Sequence, residues 1–291
     1  MKKKNQMVIG KKKRLSRSQG GDALIFTMLA VFGLFMAMPL IYNIVSAFKP
    51  AEEIFVFPPK FYVVNPTLRN FKNLFQVVNS YIIPFNRYLF NSIFVSVIST
   101  ALSVFVGAMA AYPFAKKEFK GKKMIWGLIM MTLLFTGGVT DLPAYIIKAK
   151  MGLLNTYWVL ILPVIASPLQ MFLMRQFMLQ IPDSLLEAAH LDGASEIQVL
   201  INVVLPNVKP ALQTVVVLAF TAVWNTSSAG VVFDEGLKLL PTALSQISAG
   251  GIARTGITAA ATLLLLIPPI LVFTLQQSQM LQTMSHSGIK D

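Results

Sequence analysis

The chain of 291 residues carries 25 Lys and Arg against 12 Asp and Glu, a formal charge of +13, yet only 13% of its residues are charged and 55% are apolar. That leaves too little polar surface to coat a water-soluble globule, so a soluble single domain is excluded first. With no cysteine, only His190 and His286 far apart, and no GxxxxGK[ST] string, the chain lacks material for a disulfide framework, a metal site, a thiol nucleophile or a bound nucleotide.

Residues 1–17 hold eight Lys or Arg and no acid. The first of six apolar runs, 23–48, follows. A helix crossing the ~30 Å hydrocarbon core of a bilayer needs roughly 20 apolar residues, so this run is long enough to span. It exceeds the roughly 7 to 15 residues of a signal-peptide h-region and lacks a small-x-small cleavage site, which predicts a retained anchor. A loop over 49–85 carries Pro50, Pro58-Pro59 and Pro66. The second span is 87–115. A short basic block comes next, with Lys116, Lys117, Lys120, Lys122 and Lys123 against Glu118.

The third span is predicted over 124–147, with Gly137-Gly138 and Asp141-Leu142-Pro143 expected to break or tilt its second half. The fourth covers 157–179 and the fifth 211–233. The sixth covers 258–281, with a kink expected at Pro268-Pro269. The two basic blocks hold nearly all of the net charge, and both are cytoplasmic if the first span runs from inside to outside. That orientation makes 1–21 and 284–291 cytoplasmic tails of a six-span domain over 22–283. It leaves 49–85 and the Gly- and Ser-rich 234–257 outside. Arg87 and Arg175, near span ends, read as snorkelling anchors.

The loop 180–210 departs from this pattern, holding Asp183, Glu187, Asp192 and Glu196 against Lys209. Ser184 stands three residues before Glu187, a capping-box spacing that predicts a helix from about Leu185. Gly193 suits the positive φ that ends it. Ser195 and Gln198 repeat the box and predict a second helix that Pro206 stops. Leu185, Leu186, Ala188, Ala189 and Leu191 form an apolar face on the first helix. Such a helix could lie on lipid headgroups, but its acidic polar face disfavours an anionic leaflet, so a groove on a partner protein fits better.

Glu187-Ala188-Ala189, Asp192-Gly193-Ala194-Ser195 and Leu205-Pro206 resemble the EAA loop of bacterial ABC-importer permeases. Ser46-Ala47-Phe48-Lys49, Pro58-Pro59, Asn70-Phe71 and Asn91-Ser92 are similar to the carbohydrate-uptake, maltose-type branch of that family. So is Gly152-Leu153-Leu154-Asn155-Thr156-Tyr157-Trp158 with Leu162-Pro163. The likeness runs from about Pro39 to the end. Leu134-Phe135-Thr136-Gly137-Gly138 with Pro143-Ala144-Tyr145 is similar to members grouped with complex-polysaccharide uptake.

The resemblance implies an all-α membrane protein of the type I importer permease fold, N-in and C-in, in the bacterial plasma membrane. It implies a heterodimer with a second homologous permease, two ATPase subunits that bind ATP and magnesium, and an external or periplasmic solute-binding protein. It implies no catalysis, no cofactor in this chain and no nucleic acid. Glu187, Ala188, Ala189, Asp192, Gly193, Ala194, Leu205 and Pro206 would couple to the ATPase, and Gly288, Ile289 and Lys290 would reach toward it. Gly250 and Gly251 would face the binding protein.

A sugar path favours an aromatic platform with amide or carboxylate partners, which nominates Asp141, Tyr145, Trp224 and Asn225. Helix packing or an interfacial aromatic belt would use the same residue types. An ion-coupled secondary transporter is the competing reading, and it wants acids near the bilayer midplane, where only Asp141 offers itself. An intramembrane enzyme lacks a convergent nucleophile and base.

Overall fold

The computed structural model describes residues 19–79, 83–135, 137–251 and 254–287. The basic tail and Gly288, Ile289 and Lys290 lie outside the described residues. In chain order the helices are α1 (Gln19–Phe48), α2 (Ala51–Ile54), α3 (Arg69–Asn79), α4 (Phe85–Lys116), α5 (Lys122–Thr132), α6 (Gly137–Lys150), α7 (Trp158–Ile165) and α8 (Pro168–Met178). Then come α9 (Asp183–Leu191), α10 (Glu196–Gln198), a π-helical turn (Val199–Val204), α11 (Leu205–Asn207), α12 (Lys209–Trp224), α13 (Leu240–Ser248) and α14 (Thr255–Ser287). The described residues contain no strand.

Among the described residues, four helices are long and apolar enough to cross a membrane: Gly20–Phe48, Phe85–Lys116, Trp158–Met178 and Thr255–Gln277. The pair Glu196–Asn207 and Lys209–Trp224, bent by 86°, adds a fifth if it is counted as one span. The expected third span is instead two helices, α5 ending at Thr132 and α6 beginning at Gly137. The break falls just ahead of the paired glycines, which open the first turn of α6. Pro143 is accommodated inside α6 and does not end it. Likewise α14 runs through Pro268 and Pro269.

The expected fifth span also stops early, at Trp224. Beyond Thr226, whose hydroxyl still donates to Ala222 O, the hydroxyls bind backbone outside helical register. Ser227 Oγ accepts from Ala229 N at 3.2 Å and Ser228 Oγ accepts from Leu239 N at 3.1 Å. The segment 234–257 is not merely a flexible connector either. It contains α13, whose Leu240, Ala243, Leu244 and Ile247 are buried.

Helix α4 is the axis of the fold. Its buried face is built of small and polar residues, among them Ser92, Ser96, Ser99, Ser103, Gly107, Ala108 and Ala111. Without a hydrophobic drive between helices in lipid, such residues let backbones approach closely. The opposite face exposes Phe90, Phe94, Val97, Phe105 and Met109, as a lipid-facing surface should. Helix α1 is exposed along most of its length and buries only its end, where Ala47 packs among Leu74, Val78, Tyr88 and Trp224.

The 49–85 loop is tied down by that same end. Lys49 is buried with its ammonium on the Lys60 carbonyl. Asn70 Nδ2 donates to Ala47 O at 3.0 Å and to Lys49 O at 2.7 Å.

Candidate functional site

Two sites are built around α4, one at each end. At the Lys116 end the acidic loop forms a helix pair packed on a buried cluster of Tyr112, Met174, Met178, Ile181, Leu186 and Val204. Helix α9 starts at Asp183 behind Pro182, whose fixed φ of −61° pre-sets the helix entry. The capping box expected between Ser184 and Glu187 is therefore absent, and the helix begins earlier than Leu185. Lys116 Nζ, itself buried, donates to Asp183 Oδ1 at 2.8 Å and to the Ile181 carbonyl. Glu187 is left exposed, with no hydrogen bond or ion pair among the described residues.

The turn after α9 follows the expected chemistry. Gly193 has φ +83°. Ala194 N donates to Ala189 O and Gly193 N to His190 O, both at 3.0 Å, the paired bonds of a Schellman motif. Ala189 and Ala194 both pack on the buried cluster, which supplies the apolar contact that accompanies that motif. The second capping box is formed: Ser195 N donates to Gln198 Oε1 at 2.8 Å, and Ser195 Oγ accepts from Gln198 N at 3.5 Å. Pro206 does not stop this second helix. The path continues to Asn207 because the π-turn re-registers the ladder, with Leu205 N bonding Leu200 O immediately before the proline that has no N–H. The bend comes at Val208.

The apolar face expected on α9 divides in two. Leu186 is buried and Ala189 half-buried, while Leu185, Ala188 and Leu191 point outward. Leu191 is 89% exposed and Ile197 on α10 is 61% exposed, so the tip of the helix pair is apolar and uncovered.

Glu196 joins the pair to α4. Its carboxylate accepts from Lys117 Nζ and, at 3.0 Å, from Tyr112 Oη. His190 Nε2 lies 3.1 Å from Glu196 Oε1, and its Nδ1 lies 2.6 Å from Leu186 O. Both of these partners are acceptors, and the tautomer decides which ring nitrogen donates. The hydrogen bond from Lys117 holds Glu196 below the usual carboxylate range. Desolvation opposes it, and the bonds from Tyr112 and His190 add to the lowering.

Sequence reasoning placed Lys116 and Lys117 only as an orientation signal. Their sign opposite an acidic loop on the same side was the clue to this pairing. Arg175 is likewise no free anchor. Its Nε donates to Phe114 O at 2.9 Å, and its guanidinium lies 4.2 Å from the Trp126 ring centroid.

At the other end, Tyr88, Asn91 and Ser92 of α4 stitch down the 226–239 segment. Asn91 Nδ2 donates to Gly236 O at 2.8 Å and Lys238 O at 3.0 Å, and its Oδ1 accepts from Tyr157 Oη at 2.6 Å. Ser92 Oγ accepts from Leu240 N at 2.7 Å. Tyr88 Oη donates to Glu235 Oε1 at 2.7 Å and Arg87 Nε to Gly236 O at 3.1 Å. Burial pushes Glu235 up, but the bonds from Lys238 and Tyr88 outweigh it and leave it lowered. Asn155, at φ +59°, accepts from Phe233 N and Asp234 N at 2.9 and 2.7 Å.

Beneath this stitching a cavity of about 700 Å³ lies between α6, α7 and the 226–231 loop. Asp141 and Tyr145 both line it, as does Lys148, and Thr226 and Ser227 face them. The other two path candidates are elsewhere. Trp224 is buried against Phe220 at 5.8 Å, and its Nε1 donates to Leu265 O at 2.9 Å, so it is a packing residue. Asn225 is the exposed C-cap of α12, outside the lining. Gly250 and Gly251 follow α13. Gly251 has φ +81°, and a Cβ on Gly250 would meet Arg254 Cδ at 2.4 Å.

The sequence matches the family model described as binding-protein-dependent transport system inner membrane component over residues 8–281. It is 31% identical over 279 residues to the probable ABC transporter permease protein YurM of Bacillus subtilis (strain 168), covering 93% of this chain and 89% of that protein. It is 30% identical over 212 residues to the polygalacturonan/rhamnogalacturonan transport system permease protein YtcP of the same organism, covering 73% of this chain and 72% of that one. The fold matches, with a TM-score of 0.72 and 24% identity, a chain of a bacterial ABC transporter involved in the import of the acidic polysaccharide alginate. That match covers 91% of this chain and 98% of the other.

Proposed function

Since the chain belongs to the binding-protein-dependent transport system inner membrane component family, we propose that it is the membrane-spanning permease subunit of an ATP-driven importer of oligosaccharides. The substrate class rests on the relative that transports polygalacturonan and rhamnogalacturonan and on the carbohydrate-branch motifs. In this reading α1, α4, the α5–α6 pair, α7–α8, α12 and α14 are six spans, with both termini and the acidic loop in the cytoplasm. A second homologous permease completes the pore, and an external binding protein delivers substrate near Gly250 and Gly251. Two separate ATPase subunits bind ATP and magnesium. This chain performs no bond chemistry.

Coupling is assigned to the α9–α10 pair. The observation that carries it is a stiff unit with an uncovered apolar tip. Leu191 and Ile197 are available to a groove, while Lys116–Asp183 and Lys117–Glu196 brace the base against α4. A push on the tip then moves α4, α8 and α12 through the shared buried cluster. A loop without caps and braces would absorb the same push. In this way closure of the ATPases would switch the path between inward and outward access.

Gly193 and Glu187 test the assignment. A Cβ at Gly193 meets nothing within 4 Å, so substitution there costs backbone strain alone, about 1–2 kcal/mol in the left-handed region. Gly193→Asn, which tolerates that region, is expected to keep most transport, and Gly193→Val to lose most of it. Glu187→Ala is expected to reduce ATP-driven uptake in proteoliposomes while the complex still assembles. Wild-type uptake with both Gly193→Val and Glu187→Ala, or uptake that persists without the ATPase, overturns the reading.

A further inference from the structure

We propose that the cavity between α6 and α7 recognises a saccharide that carries a carboxylate, with Lys148 as the partner of that anion. The inference rests on the oligosaccharide-importer reading and adds the charge class of the substrate at the same site.

Asp141, Tyr145 and Lys148 stand at i, i+4 and i+7 on α6, so they share one helix face and one cavity wall. Thr226 and Ser227 face them across the cavity. The Lys148 residue is half-buried, and its side chain makes no ion pair or hydrogen bond with any described residue. Every other lysine on a described wall of comparable burial has a partner: Lys49 on Lys60 O, Lys116 on Asp183, Lys122 on Glu118 and Lys238 on Glu235. A partly desolvated ammonium with three unmet donors is costly until an acceptor arrives, and a carboxylate satisfies it best. The C-terminal end of α6 adds favourable partial negative charge but bonds none of those donors.

Asp141 does not fill that role. It lies seven residues away, roughly 10 Å along the helix axis. The same separation lets the two charges read different parts of one ligand. Lys148 takes the carboxylate of one sugar unit. Asp141 accepts from the hydroxyls of another. Tyr145, between them, offers an apolar ring face with a polar tip, suited to a pyranose edge. A lipid phosphate would also suit Lys148, and the lipid composition of the vesicles separates the two sources.

The test uses the complete transporter, reconstituted with its binding protein and ATPases. The probes are galacturonate trisaccharide and the same trisaccharide fully methyl-esterified. The binding protein is a separate chain and stays unchanged in every variant.

Wild type is expected to import the acid form about tenfold better than the ester, less so at high salt. Lys148→Gln is expected to erase that preference by lowering acid uptake while ester uptake holds. Lys148→Arg is expected to retain it. Lys150→Gln, at an exposed position outside the cavity lining, serves as control and is expected to change neither.

If both forms are imported and Lys148→Gln lowers neither, or lowers both alike, the proposal fails while the oligosaccharide reading stands. A loss in Lys148→Gln that appears only in anionic-lipid vesicles, for both forms, makes Lys148 a lipid anchor and also overturns it. Import of neither form defeats the proposal together with the reading beneath it.

Discussion

Glu196 is held by donors from two elements, Lys117 and Tyr112 from the α4 end and His190 from α9, so one carboxylate closes the joint between the α9–α10 pair and the central helix. Its lowered pKa fixes the sign of a pH effect. A carboxylate whose folded value lies below its unfolded value stabilises fully above the unfolded value and loses that contribution as pH falls through the folded one. The side chain of Glu196 is 52% exposed, so the gain is modest and screened by salt. Wild type is expected to resist local opening of 183–207 better than Glu196→Gln at neutral pH. The gap should close as pH falls from about 5 downward. Hydrogen exchange of the loop amides as a function of pH measures it, and a gap independent of pH rules out the carboxylate as its source. None of this was legible in the sequence beyond the sign of the charges. Residues 112, 117, 190 and 196 are brought together by tertiary packing, and no spacing rule links them.

At the scale of elements, the parts governed by local chemistry were readable. The Ser195 capping box, the left-handed Gly193 and the long apolar runs of α1, α4 and α14 follow from nearest neighbours and periodicity. The end of the fifth span differs from the hydropathy boundary where tertiary partners compete with helix. The fifth span ends at Trp224, beyond which Ser227 and Ser228 bond within the following segment and to Thr242 of α13. Hydropathy alone carries the run to Phe233.

Asn91-Ser92 and Asn155-Thr156-Tyr157 stood out in the sequence only as family likeness. The structure gives them a physical task, since they staple the 226–239 segment to α4 and to the turn before α7. Asn91→Leu removes the donor to two carbonyls and the acceptor for Tyr157; the Lys238 carbonyl and the Tyr157 hydroxyl are then half-buried without that partner, while the Gly236 carbonyl keeps Arg87. An unmet buried polar group costs about 1–3 kcal/mol, so the purified complex is expected to melt several degrees lower. Asn91→Asp should do no better, because its carboxylate accepts from Tyr157 yet faces two carbonyls with no donor. A melting temperature for Asn91→Asp equal to wild type would show that the two carbonyl bonds contribute nothing.

For the whole molecule, part of the +13 charge has a structural task besides the orientation proposed for it. Lys116 and Lys117 pair with Asp183 and Glu196 of the acidic loop, whose charge runs against the proposed topology. In the proposed complex that loop meets its partner with Asp183 and Glu196 already paired and its apolar tip bare, so affinity for an ATPase groove should come chiefly from Leu191 and Ile197, with Asp183 and Glu196 contributing little. Leu191→Asp isolates this contribution. The side chain is 89% exposed, so the substitution leaves the fold's own contacts intact, and the melting temperature of the isolated permease pair is expected to stay within about a degree of wild type. Co-purification of the ATPase and ATP-driven uptake are expected to be lost together, because a charge placed in an apolar groove is left unpaired on docking. Leu186→Asp, one turn away but buried in the cluster at 7% exposure, is expected to lower the melting temperature sharply and to lose docking only as a consequence. If Leu191→Asp keeps its ATPase and its transport, the tip of the helix pair is a solvent-facing turn and coupling must run through another part of the loop.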